Sequence, residues 1–127
     1  MNWKELRAVL VLTLGLTIFS SLLMGHHGTS NYDRDHPVTL TGTVTEYQFI
    51  NPHVLIHFEV KNADGATETW LAEAAPPQRL FRAGWRTDSM KPGDKITVTG
   101  FPMKDGVKTL GLRKLTTADG KELSQGE

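Results

Sequence analysis

A long alternation of apolar and threonine side chains begins at Val38 and constrains the fold more than any other feature of the chain. Positions 38, 40 and 44 are apolar, the intervening odd positions carry threonine, and Gly42 fills one inward place. A period of two is typical of a β-strand with one buried face. The phase then slips by one residue, because Tyr47 and Phe49 continue on odd positions. A glycine and a phase slip within one strand predict a sharp bend or bulge.

The remaining sequence predicts four more strands and one short helix. In chain order these are a strand over 54–60, a hairpin turn at 62–65, a strand over 67–74, a helix between Pro76-Pro77 and Gly84, and strands around 96–98 and 110–115. This order, with a bent first strand, is that of the oligonucleotide/oligosaccharide-binding (OB) barrel. We therefore predict an all-β domain with one short helix, folded as a small five-stranded OB-like Greek-key β-barrel. An open α+β sheet and a small sandwich are the competing arrangements.

An uncharged apolar run over residues 8–24 follows Lys4 and Arg7. This layout is typical of a secretory signal peptide, which we place at residues 1–25, with cleavage after Gly25 and export to the periplasm. The run is also at the lower limit for a membrane span, so an uncleaved N-terminal helix anchored in the inner membrane and facing the periplasm is the alternative. The mature chain then divides into an extended histidine-containing arm at 26–37, the barrel at 38–117 and a frayed tail at 118–127.

Composition and motifs exclude several classes of protein. The chain has 14 basic and 14 acidic residues, so it has no basic field to attract nucleic acid. It has no cysteine, which rules out disulfides, thiolate metal sites and a lipoprotein anchor. It also lacks a G-x-S-x-G nucleophile motif and a glycine-rich phosphate loop. We therefore expect a monomer without enzymatic activity that contacts a membrane only through residues 8–24, if they are retained.

Several short motifs in a fixed order resemble one known family. They are Pro37-Val38-Thr39-Leu40-Thr41-Gly42-Thr43-Val44, Asn51-Pro52-His53, Gly84-Trp85 and Lys91-Pro92-Gly93-Asp94. Together with the His-His pair after the apolar run, they resemble DUF6152, a family of small exported bacterial proteins of unknown function. The resemblance extends from His26 to about Leu115 and implies export and a small β-barrel, but no known reaction. Leu55 and His57 stand where similar chains often carry aromatic residues.

Three histidines form the candidate metal site. If cleavage exposes His26, its α-amine and imidazole and the His27 imidazole can bind one ion through nitrogen alone, which suits Cu(II). His53 lies beside the Asn51-Pro52 turn and is the best partner on the barrel. His57 is about 13 Å from His53 along an extended strand, too far to share an ion. The alternatives are that the paired histidines are solvated and that His53 caps its turn by hydrogen bonding.

The other conspicuous side chains are expected to be structural. Leu80, Phe81, Trp70 and Trp85 are predicted to lie in the core, because large side chains dominate the cores of small domains. Glu73 is predicted to form an ion pair with Arg79, Arg82 or Arg86, and His36 has no evident partner.

The sequence thus predicts a non-catalytic periplasmic binding module whose cofactor is unknown, with a copper ion as the leading ligand. The second hypothesis is an interaction protein that docks on an envelope partner or a small solute through the barrel rim. In that case the outer face of the second strand, with Leu55, His57 and Glu59, would be the contact surface.

Overall fold

The computed structural model describes residue 2 and residues 31–126, and these hold six strands and one helix. The elements are β1 (Val38–Gln48), β2 (Leu55–Lys61), β3 (Thr67–Glu73), α1 (Pro77–Arg82), β4 (Lys95–Pro102), β5 (Thr109–Thr117) and β6 (Glu122–Leu123). Apart from Asn2, the predicted signal peptide lies outside the described residues, as do His26 and His27. In the part of the chain that is described, no helix has the length and apolar character needed to cross a membrane.

Strand β1 is the bent strand that the sequence predicts, and it is shared between the two halves of the barrel. Its first half pairs with β4 and its second half with β2, both antiparallel. The register shifts between Val44 and Glu46, which confirms the bulge at the phase slip. At Gly42 a Cβ atom would lie 2.4 Å from the Glu59 carbonyl oxygen and 2.8 Å from Phe58 Cδ2. A side chain there would collide with β2, so the glycine permits the close approach of the two strands.

A parallel pairing between β3 and β5 closes the sheet into a barrel. The strand order is β3-β2-β1-β4-β5-β6, and Leu71, Ala72 and Glu73 pair with the start of β5. The predicted closed five-stranded barrel is confirmed, and the open sheet is excluded. Inward residues of the alternating strands make most of the core, including Ile56, Phe58, Ile96, Val98, Leu110 and Leu115, and Val54 just before β2 joins them. Burying each such side chain contributes about 1.5–3 kcal/mol of hydrophobic free energy.

Helix α1 ends in a Schellman motif that directs the chain back to the core. The amide of Trp85 donates to the Leu80 carbonyl at 2.9 Å, and that of Gly84 donates to the Phe81 carbonyl at 3.1 Å. Gly84 has φ +97°, a left-handed conformation that glycine adopts without strain. Leu80 and Trp85 are both fully buried, as predicted. Phe81 is 54% exposed, so its predicted place in the core is wrong: on such a short helix, Leu80 faces inward and its neighbour faces out.

The expected frayed tail at 118–127 is instead a docked segment over its described part. Strand β6 pairs with β5, and Leu123 is only 5% exposed. The Ser124 carbonyl accepts a hydrogen bond of 2.7 Å from the indole nitrogen of the buried Trp85. Gln125 accepts from the Ala75 amide at 2.6 Å and donates to the Leu112 carbonyl. The tail therefore supplies hydrogen-bond partners to polar groups of the barrel. The polar composition of the tail does not predict this role.

Candidate functional site

The described end of the N-terminal arm lies along the end of β4. Tyr32 forms an isolated antiparallel bridge with Met103, and the Asp33 amide donates to the Pro102 carbonyl at 2.8 Å. The Lys104 amide donates to the Asn31 carbonyl at 2.9 Å. None of residues 31–37 is buried, so polar contacts and partial packing hold this segment.

Tyr32 connects the arm to β5 and β3, the two strands whose parallel pairing closes the barrel. Its ring lies over Gly111 of β5, where a Cβ atom would be 3.6 Å from the ring carbons. Its hydroxyl donates to Glu73 Oε2 of β3 at 2.8 Å. Burial, followed by the hydrogen bond and the charge of Glu73, raises the pKa of Tyr32 to about 12. The phenol therefore remains a protonated donor at neutral pH.

His53 is held at the rim by a backbone carbonyl. Its Nδ1 lies 2.9 Å from the Ala74 carbonyl oxygen, which can only accept a hydrogen bond. The proton is therefore on Nδ1, and Nε2 of the neutral ring has a free lone pair. Nε2 lies 3.8 Å from Glu73 Oε1, and the side chains of His53 and Glu73 are 44% and 35% exposed. The side chain of His53 thus hydrogen-bonds to the residue that follows β3, and not to its own turn at 51–52, and the second ring nitrogen is left open.

The partners predicted for Glu73 are wrong. Arg79 donates through Nε to the Gln125 carbonyl at 3.0 Å and also contacts the Gly126 carbonyl. Arg86 donates to the Phe81 and Trp85 carbonyls, and its guanidinium lies 4.1 Å from the centre of the Phe81 ring. The docked tail and the helix end thus provide acceptors for these arginines. Glu73 instead faces Tyr32 and His53, which come much earlier in the chain.

These three side chains line an open cleft of about 750 Å³, which we call the rim cleft. Its other polar or charged side chains belong to Asn31, Arg34, Arg79, Thr109 and Gln125, and its apolar wall includes Pro76, Phe101, Met103 and Leu112. The arm, the barrel and the tail all contribute to it. No local sequence pattern brings Tyr32, His53 and Glu73 together, because the β3–β5 closure and the arm's path decide their meeting.

The other described histidines lie apart from the rim cleft. His57 is within β2, opposite Leu71 of β3 and Glu46 of β1. His36 is paired with Asp33 at 2.9 Å, a partner that the sequence did not reveal. Over residue 2 and residues 31–126, no group of three or more His, Cys, Asp or Glu side chains converges on a metal position. His53 and Glu73 are a two-residue cluster, and any further ligand must come from elsewhere.

A second open cleft of about 510 Å³ lies at the opposite ends of β4 and β5. Its lining includes Arg86, Asp88, Asp94, Lys95, Asp119 and Lys121. Several of these groups are already engaged: Asp94 with Lys91, and Asp119 with Thr117 and the Lys121 amide. Its charges balance one another, and its described lining provides no convergent set of ligands.

The chain belongs to the Family of unknown function DUF6152, whose model matches residues 15–113. This confirms the resemblance drawn from the sequence motifs. Among curated proteins, none matches significantly.

Parts of two solved structures are similar to this chain. The crystal structure of the ZRD-deleted mutant of TiaS in complex with agmatine is 24% identical, with a TM-score of 0.49 over 82% of this chain and 26% of that one. The crystal structure of a tRNA fluorescent labeling enzyme is 23% identical, with a TM-score of 0.44 over 74% of this chain and 20% of that one. The chain thus spans about a quarter or less of the length of these structures.

Proposed function

We propose that this protein is an exported, periplasmic β-barrel that binds a metal ion without catalysing a reaction, with Cu(II) as the leading ion. The charged head and the apolar run over residues 8–24 support export. The ligands we propose are His26, His27 and His53. The absence of a nucleophile motif from the sequence supports a binding role.

The docking of the arm beside His53 carries this proposal. Asn31 and His53 line the same cleft, and His27 precedes Asn31 by only four residues. An extended chain covers at most about 3.3–3.6 Å per residue, so His27 lies within about 14 Å of Asn31. The paired histidines are thus tethered close to a residue that shares the rim cleft with His53, which supports their acting with its Nε2 on one ion.

The chemistry of this ligand set favours copper. If processing exposes His26, the α-amine and the imidazoles give nitrogen donors in a tetragonal arrangement, which suits Cu(II). The hydrogen bond from His53 Nδ1 to the Ala74 carbonyl is the outer-shell contact that typically orients a metal-binding imidazole. Binding of an ion would also tie the arm to the barrel.

The test is a calorimetric titration of Cu(II) into the secreted protein, whose N-terminal residue is first determined by mass spectrometry. We expect a chain beginning at His26 and one Cu(II) bound per molecule. The His53→Ala variant should bind at least about tenfold more weakly, because an inner ligand is lost. The matched control His57→Ala, within β2 and outside the rim cleft, should bind as the unsubstituted protein does. Equal effects of the two substitutions would contradict the site.

The second candidate function is docking of an envelope partner on the outer face of β2 and β3. Leu55 and Leu71 are only partly buried there and flank His57 and Glu59, which gives the face an apolar centre with a charged margin. A protein that binds no Cu(II), but loses a partner from envelope extracts on Leu55→Asp substitution, would favour this function over the first.

A further inference from the structure

We propose that Glu73 is a metal ligand through Oε1, paired with His53 Nε2, and that Tyr32 positions it. This assignment rests on the proposed metal-binding function and adds an oxygen donor to it. The consequence is a site for a divalent cation, with selection against Cu(I).

The first argument is the direction of the His53 lone pair. Since the Ala74 carbonyl fixes the proton on Nδ1, the neutral ring presents an acceptor at Nε2. The charged group that faces this nitrogen is a carboxylate oxygen, 3.8 Å away, which also accepts only. Two acceptors face each other across a gap that is open to the rim cleft. A cation between them would accept a lone pair from both atoms.

The second argument is the separation of the two atoms. Bonds from a divalent transition metal to imidazole nitrogen and carboxylate oxygen are about 2.0–2.2 Å long. An ion bonded to Nε2 and Oε1 would therefore hold them about 3–4 Å apart, depending on the bond angle. The observed 3.8 Å lies within that span, so the pair requires little rearrangement to bind.

The third argument is that the two carboxylate oxygens of Glu73 have different neighbours. Oε2 of Glu73 accepts the Tyr32 hydroxyl at 2.8 Å, which leaves Oε1 directed at His53. Hydrogen bonds of this kind to a ligating carboxylate are the usual outer shell of a metal site. Tyr32 is therefore a positioning residue, and because it lies in the arm, it couples the geometry of Glu73 to the docking of that segment.

The ligand class follows from the donor atoms. Carboxylate oxygen is a hard donor and carries a negative charge, so it favours divalent ions such as Cu(II) and Zn(II), whereas Cu(I) prefers soft sulfur ligands. With Glu73 included, the site should bind Cu(II) more tightly relative to Cu(I) than a site of nitrogen donors alone.

The experiment compares Glu73→Gln with the matched control Glu59→Gln, an exposed carboxylate on β2, in the secreted protein. Cu(II) affinity is measured by calorimetry, and ligation by the electron paramagnetic resonance spectrum of the Cu(II) complex. We expect E73Q to weaken Cu(II) binding by about 10–100-fold and to change the spectrum, while E59Q changes neither. Cu(I) affinity, measured by competition with a chromophoric chelator, should change less than Cu(II) affinity in E73Q.

The Tyr32→Phe variant separates positioning from ligation. It keeps the ring over Gly111 and removes the hydroxyl, so we expect a loss of Cu(II) affinity of about tenfold with an unchanged spectrum, because the ligand atoms are the same. It also provides the second variant if E73Q does not fold, which circular dichroism would show.

The outcomes distinguish this inference from the function on which it rests. Normal Cu(II) binding and an unchanged spectrum in E73Q would overturn the role of Glu73 and leave the histidine site intact. A native protein that binds no Cu(II) would overturn both. A changed spectrum in Y32F would show that Tyr32 contributes directly and is not a positioning residue.

Discussion

The N-terminal arm and the C-terminal tail are both short polar segments that lie against the barrel at the rim cleft, yet they are held in different ways. The tail inserts Leu123 into the core and provides a carbonyl for the buried Trp85 indole. The arm buries no residue among 31–37 and is attached by main-chain bonds, one phenol–carboxylate hydrogen bond and the partial packing of the Tyr32 and Arg34 side chains. A buried apolar side chain thus anchors the tail in the folded domain, whereas the described part of the arm has no buried side chain.

The two kinds of attachment meet at the proposed metal site. Glu73 and His53 belong to parts of the barrel that the core fixes in place, while Tyr32 reaches them from the arm. In the proposed site, the barrel would supply the ligands and the arm would supply the contact that positions one of them. If the comparison is right, changes in the tail should alter stability, and changes in the arm should alter binding.

The largest expected effect is that of Leu123→Ala. Truncation of a buried leucine costs about 2–5 kcal/mol, and we expect a value near the lower end because the site is at the sheet edge. Urea unfolding followed by tryptophan fluorescence measures the free energy of unfolding. Leu55→Ala, on the outer face of β2, is the matched control and should cost under about 1 kcal/mol. Equal losses in the two variants would mean that the tail is not anchored by its leucine.

A smaller effect is expected for Tyr32→Phe in the metal-free protein. The lost hydrogen bond has a charged acceptor but is only partly buried, so the free energy of unfolding should fall by about 1 kcal/mol. The same urea measurement applies, and hydrogen exchange of the Asp33 amide should become faster because the arm is held less firmly. A decrease in the free energy of unfolding as large as that of L123A would mean that the arm stabilises the fold as much as the tail does.

The smallest effect concerns the exposed Asp33–His36 pair in the arm. The hydrogen bond and the charge of Asp33 raise the pKa of His36 above its ordinary 6.5, and the hydrogen bond with His36 lowers the pKa of Asp33 below 3.8. The pair's contribution is therefore fully present between about pH 4 and 6.5. It is lost as pH falls through the pKa of Asp33 or rises through that of His36.

The His36 pKa, measured by nuclear magnetic resonance, should fall towards 6.5 in Asp33→Asn and change less in Asp35→Asn, whose charge is a weaker influence. Because both side chains are exposed, stability should hardly change. An unshifted His36 pKa in the native protein would show that this turn of the arm is not formed in solution.

Much of the barrel was predictable because it depends on local patterns. The alternation on β1 and β2 fixes which faces are buried, the glycine and the phase slip mark the bend, and the Pro-Pro and Gly84 bracket the helix. Phe81 was misplaced because a six-residue helix has too few turns to establish its buried face. The candidate site was only partly predictable: the sequence singled out His53 by its place beside a turn, a role that stays a prediction, and it assigned Glu73 to the wrong partners.

The sequence by itself determined the strand order, the bulge and the inward residues, because period-two patterning and glycine placement act within a few residues. Only the tertiary structure decided that the tail docks and that Tyr32, His53 and Glu73 meet. The pairing of β3 with β5 brings the end of one strand beside the start of another that is distant in the chain, and the arm then crosses that seam. Contacts of such long sequence separation leave no local signal, since they depend on how the sheet closes.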